Sequence, residues 1–339
     1  MVATSFVFAL NVMSLSLQAQ TRHEFFPRVH SRVFSAFKEP VLKINSGDTV
    51  FTRTWDSGGR DHEGTWHIPH PYVYPESGNP LTGPFYVEGA DYGDTLEVRL
   101  DKVRLNRSHG YTGYRLSGEV ILPSMLERAY KPVYKMDAVR PQRADLIPWD
   151  LDPKRGVASP RLLEGSGLRW ELPIRPMLGC IGVAPAGERV ETSGPSGVHG
   201  GNMDYNDVVE GATLYFPVFH KGAFLYVGDA HALQGDGEGL GSGVETSMDV
   251  EFTVRVHKGK RIGIPRLENA EHIVSIANGS NFDRSLRTAN SDMISWLMTD
   301  HGVTEPEAHL LIGSVAQHKI VLYSGSVATM IPKKFLARR

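Results

Sequence analysis

Glycine and proline punctuate this chain along its whole length, at 35 and 21 of its 339 residues, and that spacing constrains the fold more than any other feature. Neither residue suits the interior of a helix, because glycine leaves the backbone loose and proline lacks an N–H. Between them lie short runs in which apolar and polar side chains alternate, as half-buried strands require. "PVLKINSGDTVFTRTW" (40–55) reads as a β-hairpin or strand pair about an SGD turn. "GPFYVEGADYGDTLEVRLDKVRL" (83–105) reads as two strands across a Gly-Asp turn. Both turns contain GDT, at 47–49 and 93–95, a shared design too short to count as a repeat.

Further on, "LRWELPIRPMLGCIGVAP", "ATLYFPVFHKGAFLYVGD" and "VETSMDVEFTVRVHKG" are strand-rich, with prolines marking edges or bulges. Residues 123–170 read as a meandering connection with short strands. The tail changes period. "SDMISWLMTDHG" has helical spacing and stops at Gly302, and Thr304 with Glu307 spells a capping box for a second helix with Pro306 near its start. A final strand follows in "KIVLYSGSVATMIP". The pattern predicts a mostly β (α+β) architecture, sandwich-like, with a small C-terminal helical pair.

Thirty-six basic residues against 38 acidic ones leave a formal charge of −2. That balance gives no electrostatic case for nucleic acid or an anionic membrane as partner. The single cysteine, Cys180, excludes an intrachain disulfide, and its apolar setting in "MLGCIGVA" reads as a small buried hydrophobe rather than a nucleophile. The first charged side chain is Arg22. The apolar stretch before it is short for a membrane span, and Ala19 offers a small residue at a cleavage point. Residues 1–20 are therefore expected to be a signal peptide, which makes the mature protein secreted or periplasmic, or cytoplasmic if the leader stays on.

Three clusters carry side chains suited to chemistry. In "VGDAHALQGDGE" (227–238), Asp229 and His231 are two apart, so they share a face if the strand persists. A carboxylate and an imidazole converging at a strand end can hold a divalent metal. Asp236 and Glu238 have the same spacing in a Gly-flanked loop. The plainer reading is a polar turn in which His231 bonds Asp229. In "GPSGVHGGNMD" (194–204), His199, Asn202 and Asp204 sit among glycines. His199 brings a ligand or an acid–base group, and Asn202 or the Gly200 and Gly201 amides could meet an oxyanion. An ordinary flexible turn is the alternative. In "TWDSGGRDHEGTWH" (54–67), Asp56 ends a strand, while His62 and His67 are five apart and do not form a zinc-protease helix. His67 and His70 are read as rim residues, Trp66, Tyr72 and Tyr74 as an entrance wide enough for something bulkier than formamide, and Glu88 as an inward carboxylate or a strand-end salt bridge.

The blocks "GNPLTGPFYVEGADYGDTLEV", "GCIGVAPA", "GPSGVHGGNMD" and "FLYVGDAHALQGDGE", with the ending "SDMISWLMTDHGVTEPEAHLLIGSVA", resemble the acetamidase/formamidase family in order and spacing. The likeness runs from roughly Glu39 to Phe335. It implies hydrolysis of a linear, non-peptide amide to a carboxylate and ammonia. It also implies two intimately joined, interleaved β-rich subdomains within residues 21–339, and a divalent metal, zinc or calcium. The family is usually intracellular, in contrast to a chain with a leader, and many members act on larger substrates.

Amide hydrolysis needs an activated water, a stabilised oxyanion and a proton for the leaving nitrogen. The resemblance implies that the HGGNMD and GDAHALQGDGE blocks meet at the metal site, with Asp56 as an early aspartate, and on it Asp56, His199, Asp229 and His231 are assigned to the metal. Glu238, with Asp236 and Asn202, is assigned to catalysis. Gly200, Gly201, Asp204, Glu88 and Trp66 are assigned to the substrate, a small-molecule amide. Histidines beside carboxylates favour zinc over calcium. A homo-oligomer is compatible with the chain. The competing reading is a secreted β-sandwich binding module with a structural calcium and no catalysis. A serine amidase is weaker, since "SGPSG" lacks the nucleophile-elbow pattern.

Overall fold

The two GDT turns do not close hairpins; each carries the chain from one sheet into another. The computed structural model describes residues 20–67, 78–126, 146–161, 166–167 and 169–336. Residues 1–19 of the expected leader, and His70, Tyr72 and Tyr74, lie outside the described residues. Among the described residues, strands assemble into one sheet of nine and another of eleven, with a small two-stranded ribbon beside them. Leu42–Asn45 pairs with Leu81–Glu88 in the larger sheet, whereas Thr49–Arg53 and Thr95–Leu105 flank Met248–His257 in the smaller.

The shared turn design is physical. Gly47 and Gly93 have φ of 102° and 87°, a region open mainly to glycine. The next residue, Asp48 or Asp94, is buried and accepts a backbone N–H three residues back, from Asn45 or Asp91. Burial opposes the charge on both. Even so, the Asn45 amide with His23 keeps Asp48 below the ordinary carboxylate range, and Lys258 with the Gly259 amide does so for Asp94.

The two sheets bury their facing sides against each other. Ile44, Phe85, Leu178, Ile181 and Leu225 from the larger sheet meet Val50, Leu96, Val98, Val250 and Phe252 from the smaller in one core. The Phe85 and Phe252 rings meet edge to face across the interface at 5.3 Å. Cutting Phe252 to alanine leaves a cavity between two sheets that cannot collapse onto it. Urea unfolding should show a loss of about 3–5 kcal/mol.

The C-terminal helices end and start at the expected caps, but the first begins at Phe282, nine residues before the stretch read as helical. Phe282–His301 ends at Gly302 in the left-handed region, and Glu305–Val315 starts where Thr304 donates its N–H and hydroxyl to Glu307. Met293, Trp296 and Leu297 pack on Ile273 and Ile331 of the smaller sheet. No helix among the described residues is long and apolar enough to cross a membrane. The last hairpin, Gln317–Leu322 with Ser326–Pro332, turns back toward the larger sheet. There Leu322 bridges to Gly237, and Tyr323 donates its N–H to the Gly237 carbonyl at 2.8 Å.

Candidate active site

Strand Leu225–His231 is buried at every position because sheet neighbours flank it and other layers cover both faces. Its last residues therefore carry Asp229 and His231 into the interior. Strand Met177–Gly182 lies on one side, and the short bridge Glu245–Thr246 on the other sets Glu245 directly opposite His231. The segment after Gly200–Asn202 adds Asp204. Ligand atoms of Asp204, Asp229 and His231, and of His231, Glu238 and Glu245, lie within 4.8 Å of one another in two groups that share the imidazole. Four carboxyl groups thus surround one buried ring.

Two glycines make this crowding feasible. A β-carbon on Gly179 would sit 2.4 Å from Asp204 Oδ1 and 2.7 Å from Asp229 Oδ2, and one on Gly243 would sit 2.4 Å from the His231 ring. The backbone is strained here as well. Of five non-glycine residues with positive φ among the described residues, three are Asp204, Asp229 and Glu238, at 49°, 55° and 51°. Each such conformation costs about 1–3 kcal/mol, and strain of this kind concentrates at functional sites.

Hydrogen bonds hold one side of Asp204, Asp229 and His231 and leave the other side bare. Asn79 donates Nδ2 to Asp229 Oδ2 at 2.7 Å and to Asn202 Oδ1 at 3.1 Å, and Asn202 donates Nδ2 to Asp204 Oδ2 at 2.6 Å. Gln234 donates Nε2 to the Asp204 carbonyl, which fixes its amide orientation, so its Oε1 can only accept from His231 Nδ1, at 2.8 Å. The proton is thereby held on Nδ1. Asp204 Oδ1, Asp229 Oδ1, Glu245 Oε2 and His231 Nε2 are buried without a hydrogen-bond partner. Nε2 lies 3.2 Å from Glu245 Oε1 and 3.6 Å from Asp229 Oδ1, close enough for charge attraction but without hydrogen-bond geometry.

Electrostatics follow from this packing. Burial, reinforced by the neighbouring carboxylates, pushes Asp204, Asp229 and Glu238 above the usual carboxyl range. Burial disfavours charge on His231, but Glu245 and Asp229 outweigh it and raise that imidazole well above its ordinary value. Such a group holds protons until a cation replaces them, and the orphaned oxygens and nitrogen are a donor set that fits a divalent ion. Cation binding should therefore release protons. Calorimetry near pH 6 in buffers of different ionisation enthalpy should register it, and affinity should rise as pH rises.

Asn79, Asn202, Asp229, Glu238 and Glu245 face a cavity of about 950 Å³, while Asp204 and His231 stand behind them. The remaining expected site residues are elsewhere. Asp56 is fully buried in an ion pair with Arg107 at 2.6 Å and accepts the Arg60 N–H, so its oxygens are spent. Arg107 also donates to Thr246 Oγ1, which makes the pair a brace for the bridge that carries Glu245. His199 packs edge-on against Phe34 at 5.3 Å, and burial lowers it to about 4. Its ring joins neither ligand group, although Nε2 is buried without a partner.

Gly200 and Gly201 are strand residues opposite Gly182 and Ile181 and do not line the cavity. Asp236 is exposed, accepting from Asn206 and pairing with Lys319 at 3.2 Å. Glu88 is exposed at the end of Leu81–Glu88, where the strand runs out past its buried positions. Trp66 donates its indole N–H to the Gly58 carbonyl, outside the cavity lining. The functional candidates that sequence reasoning passes over are Glu245, Asn79 and Gln234. Glu245 opens the alternating run "VETSMDVEF", and Gln234 lies three residues beyond His231, but the partners that give them meaning are distant in sequence.

Comparison with known proteins points to one family. The model of the Acetamidase/Formamidase family matches residues 184–275, the stretch that holds most of the site. An acetamidase from Mycolicibacterium smegmatis is 25% identical over 209 residues, 47% of this chain and 48% of that one. The chain spans about half the length of the curated relatives it matches over such long stretches. The crystal structure of an acetamidase from Bacillus halodurans superposes with a TM-score of 0.72 at 27% identity, covering 92% of this chain and 98% of that one. One from Yersinia enterocolitica gives 0.75 at 26% identity, covering 95% of each. Fold, site-bearing segment and structural neighbours thus agree in their likeness to the acetamidase/formamidase family.

Proposed function

We propose that this protein hydrolyses the C–N bond of a linear amide to a carboxylate and ammonia, with a divalent cation held by Asp204, Asp229, His231 and Glu245. The observation that carries the reading is two overlapping groups of ligand atoms, Asp204–Asp229–His231 and His231–Glu238–Glu245, with buried unpartnered atoms on Asp204, Asp229, His231 and Glu245, beside a large cavity. Relatives named formamidase or acetamidase supply the reaction class. A cation bound there would act as a Lewis acid, polarising the amide carbonyl and acidifying water. Its imidazole donor favours zinc over calcium, while three carboxylates make the set harder than one built on two histidines. The calcium-binding module fits less well, since calcium takes oxygen ligands and His231 is central to the group.

The protein's own groups then divide the work. Glu238 reaches the cavity, and its raised affinity for protons suits a group that takes one from attacking water and returns it to the departing nitrogen. Asn202 has one N–H committed to Asp204, and the second is left to meet the developing oxyanion. Asn79 and Gln234 orient the carboxylates and the ring. Ammonia release from a panel of primary amides, with and without a chelator, tests the reading. Turnover that a chelator abolishes and zinc restores is expected. Undiminished turnover after complete metal removal would rule out the cation.

A further inference from the structure

Resting on that reading, we propose that the cavity selects primary amides whose acyl group is an uncharged apolar chain or ring of about four carbons or more, ahead of formamide and acetamide. Size is the first argument. Acetamide has four non-hydrogen atoms and displaces about as much space as four waters, roughly 120 Å³. The cavity measures about 950 Å³, at the upper end of the ~300–1,000 Å³ typical of sites that enclose much larger ligands.

The second argument is where the apolar surface lies. Tyr111, Leu146, Leu240, Leu322 and Tyr323 line the cavity, and three of them are anchored next to the reacting end. Tyr111 is the cross-strand neighbour of Glu245. Leu322 bridges Gly237, which adjoins Glu238, and the Tyr323 amide donates to the same Gly237. An amide carbonyl placed at Glu238 and Glu245 therefore directs its acyl substituent along this wall.

The wall is also held open. The Tyr111 hydroxyl accepts the Gly58 N–H at 2.9 Å and meets Ser57 Oγ at 3.1 Å, which ties the ring from behind. Tyr111, Leu146 and Leu322 are buried and form the firm back of the wall, while Leu240 and Tyr323 are half-buried. A small acyl group would leave Leu240 and Tyr323 wet, whereas a longer one dries them and contributes binding energy that can be used at the reacting carbon. Charge argues for a neutral substrate. Among the described residues, no lining side chain is placed to pair with an anionic acyl chain: Asp229, Glu238 and Glu245 are acidic, and the guanidinium of Arg32, which also lines the cavity, is turned onto the Gly78 carbonyl.

The test compares kcat/KM for formamide, acetamide, butyramide, hexanamide and benzamide in the zinc-loaded protein, with calorimetric binding of acetamide and hexanamide alongside. Each buried methylene is worth about fourfold, so hexanamide should exceed acetamide by at least about tenfold. Leu240→Ala and Tyr323→Ala should each lower the hexanamide-to-acetamide ratio by about threefold or more. This ratio is read within one protein, so partial misfolding cancels. Equal or better use of formamide or acetamide overturns the proposal, as does a ratio that neither substitution moves. If no amide releases ammonia, the assigned reaction falls, and calorimetry alone decides the wall's preference: tighter hexanamide upholds it, equal affinity overturns it.

Discussion

Replacing His231 by alanine is expected to lower kcat/KM for amide hydrolysis by at least about 10³-fold, on the order of 4 kcal/mol in the barrier, and to leave the protein without its cation. The ring is the shared member of both ligand groups and the nitrogen donor within them. Without it, buried carboxyl groups face one another with no neutralising partner, so they keep their protons and compete poorly for metal. Because His231 is wholly buried, alanine also leaves a cavity. His231→Asn, which fills more of the space, separates the two effects: it should recover stability in urea unfolding but not bound zinc.

The second large effect is on Glu238. Glu238→Gln keeps the size of the side chain and its place in the left-handed turn, but it cannot take a proton from water. A fall in kcat of about 10²–10⁴ is expected, with metal content unchanged because the four unpartnered donors are intact. The pH profile gives an independent readout. Burial, with Asp204 next in effect, raises the affinity of Glu238 for its proton. The carboxyl must lose that proton to act as a base, so the wild-type rate climbs as pH rises through the raised value. In the glutamine variant that limb should be absent.

Much of the fold is legible in the sequence because alternation and helix caps are local signals. Gly302, Thr304 and Glu307 mark helix ends whose geometry depends on neighbours within one turn. Strand partnership is not local. The two GDT turns look like hairpin turns because alternating runs flank them, yet the flanking strands pair with segments far away: Met248–His257 on one side, and Leu81–Glu88 with Leu225–His231 on the other. Nothing in the period-two pattern tells a strand which sheet it joins.

The site divides along the same line. Asp229 and His231 are readable because a spacing of two puts both on one side of a strand, and the strand carries both into the ligand group. Glu245 meets His231 only through a two-residue bridge formed across the sheet. Asp56 and His199 have the right chemistry for ligands but different neighbours: a guanidinium claims the first, and an aromatic ring packs against the second. Residue type nominates candidates, and tertiary packing decides which of them converge.

The most direct test is a titration of zinc into fully chelated protein, following ammonia release and bound metal together. The account predicts activity that starts near zero and rises in proportion to occupancy, saturating at about one ion per chain. Full turnover in protein carrying less than about a tenth of an ion per chain would contradict it.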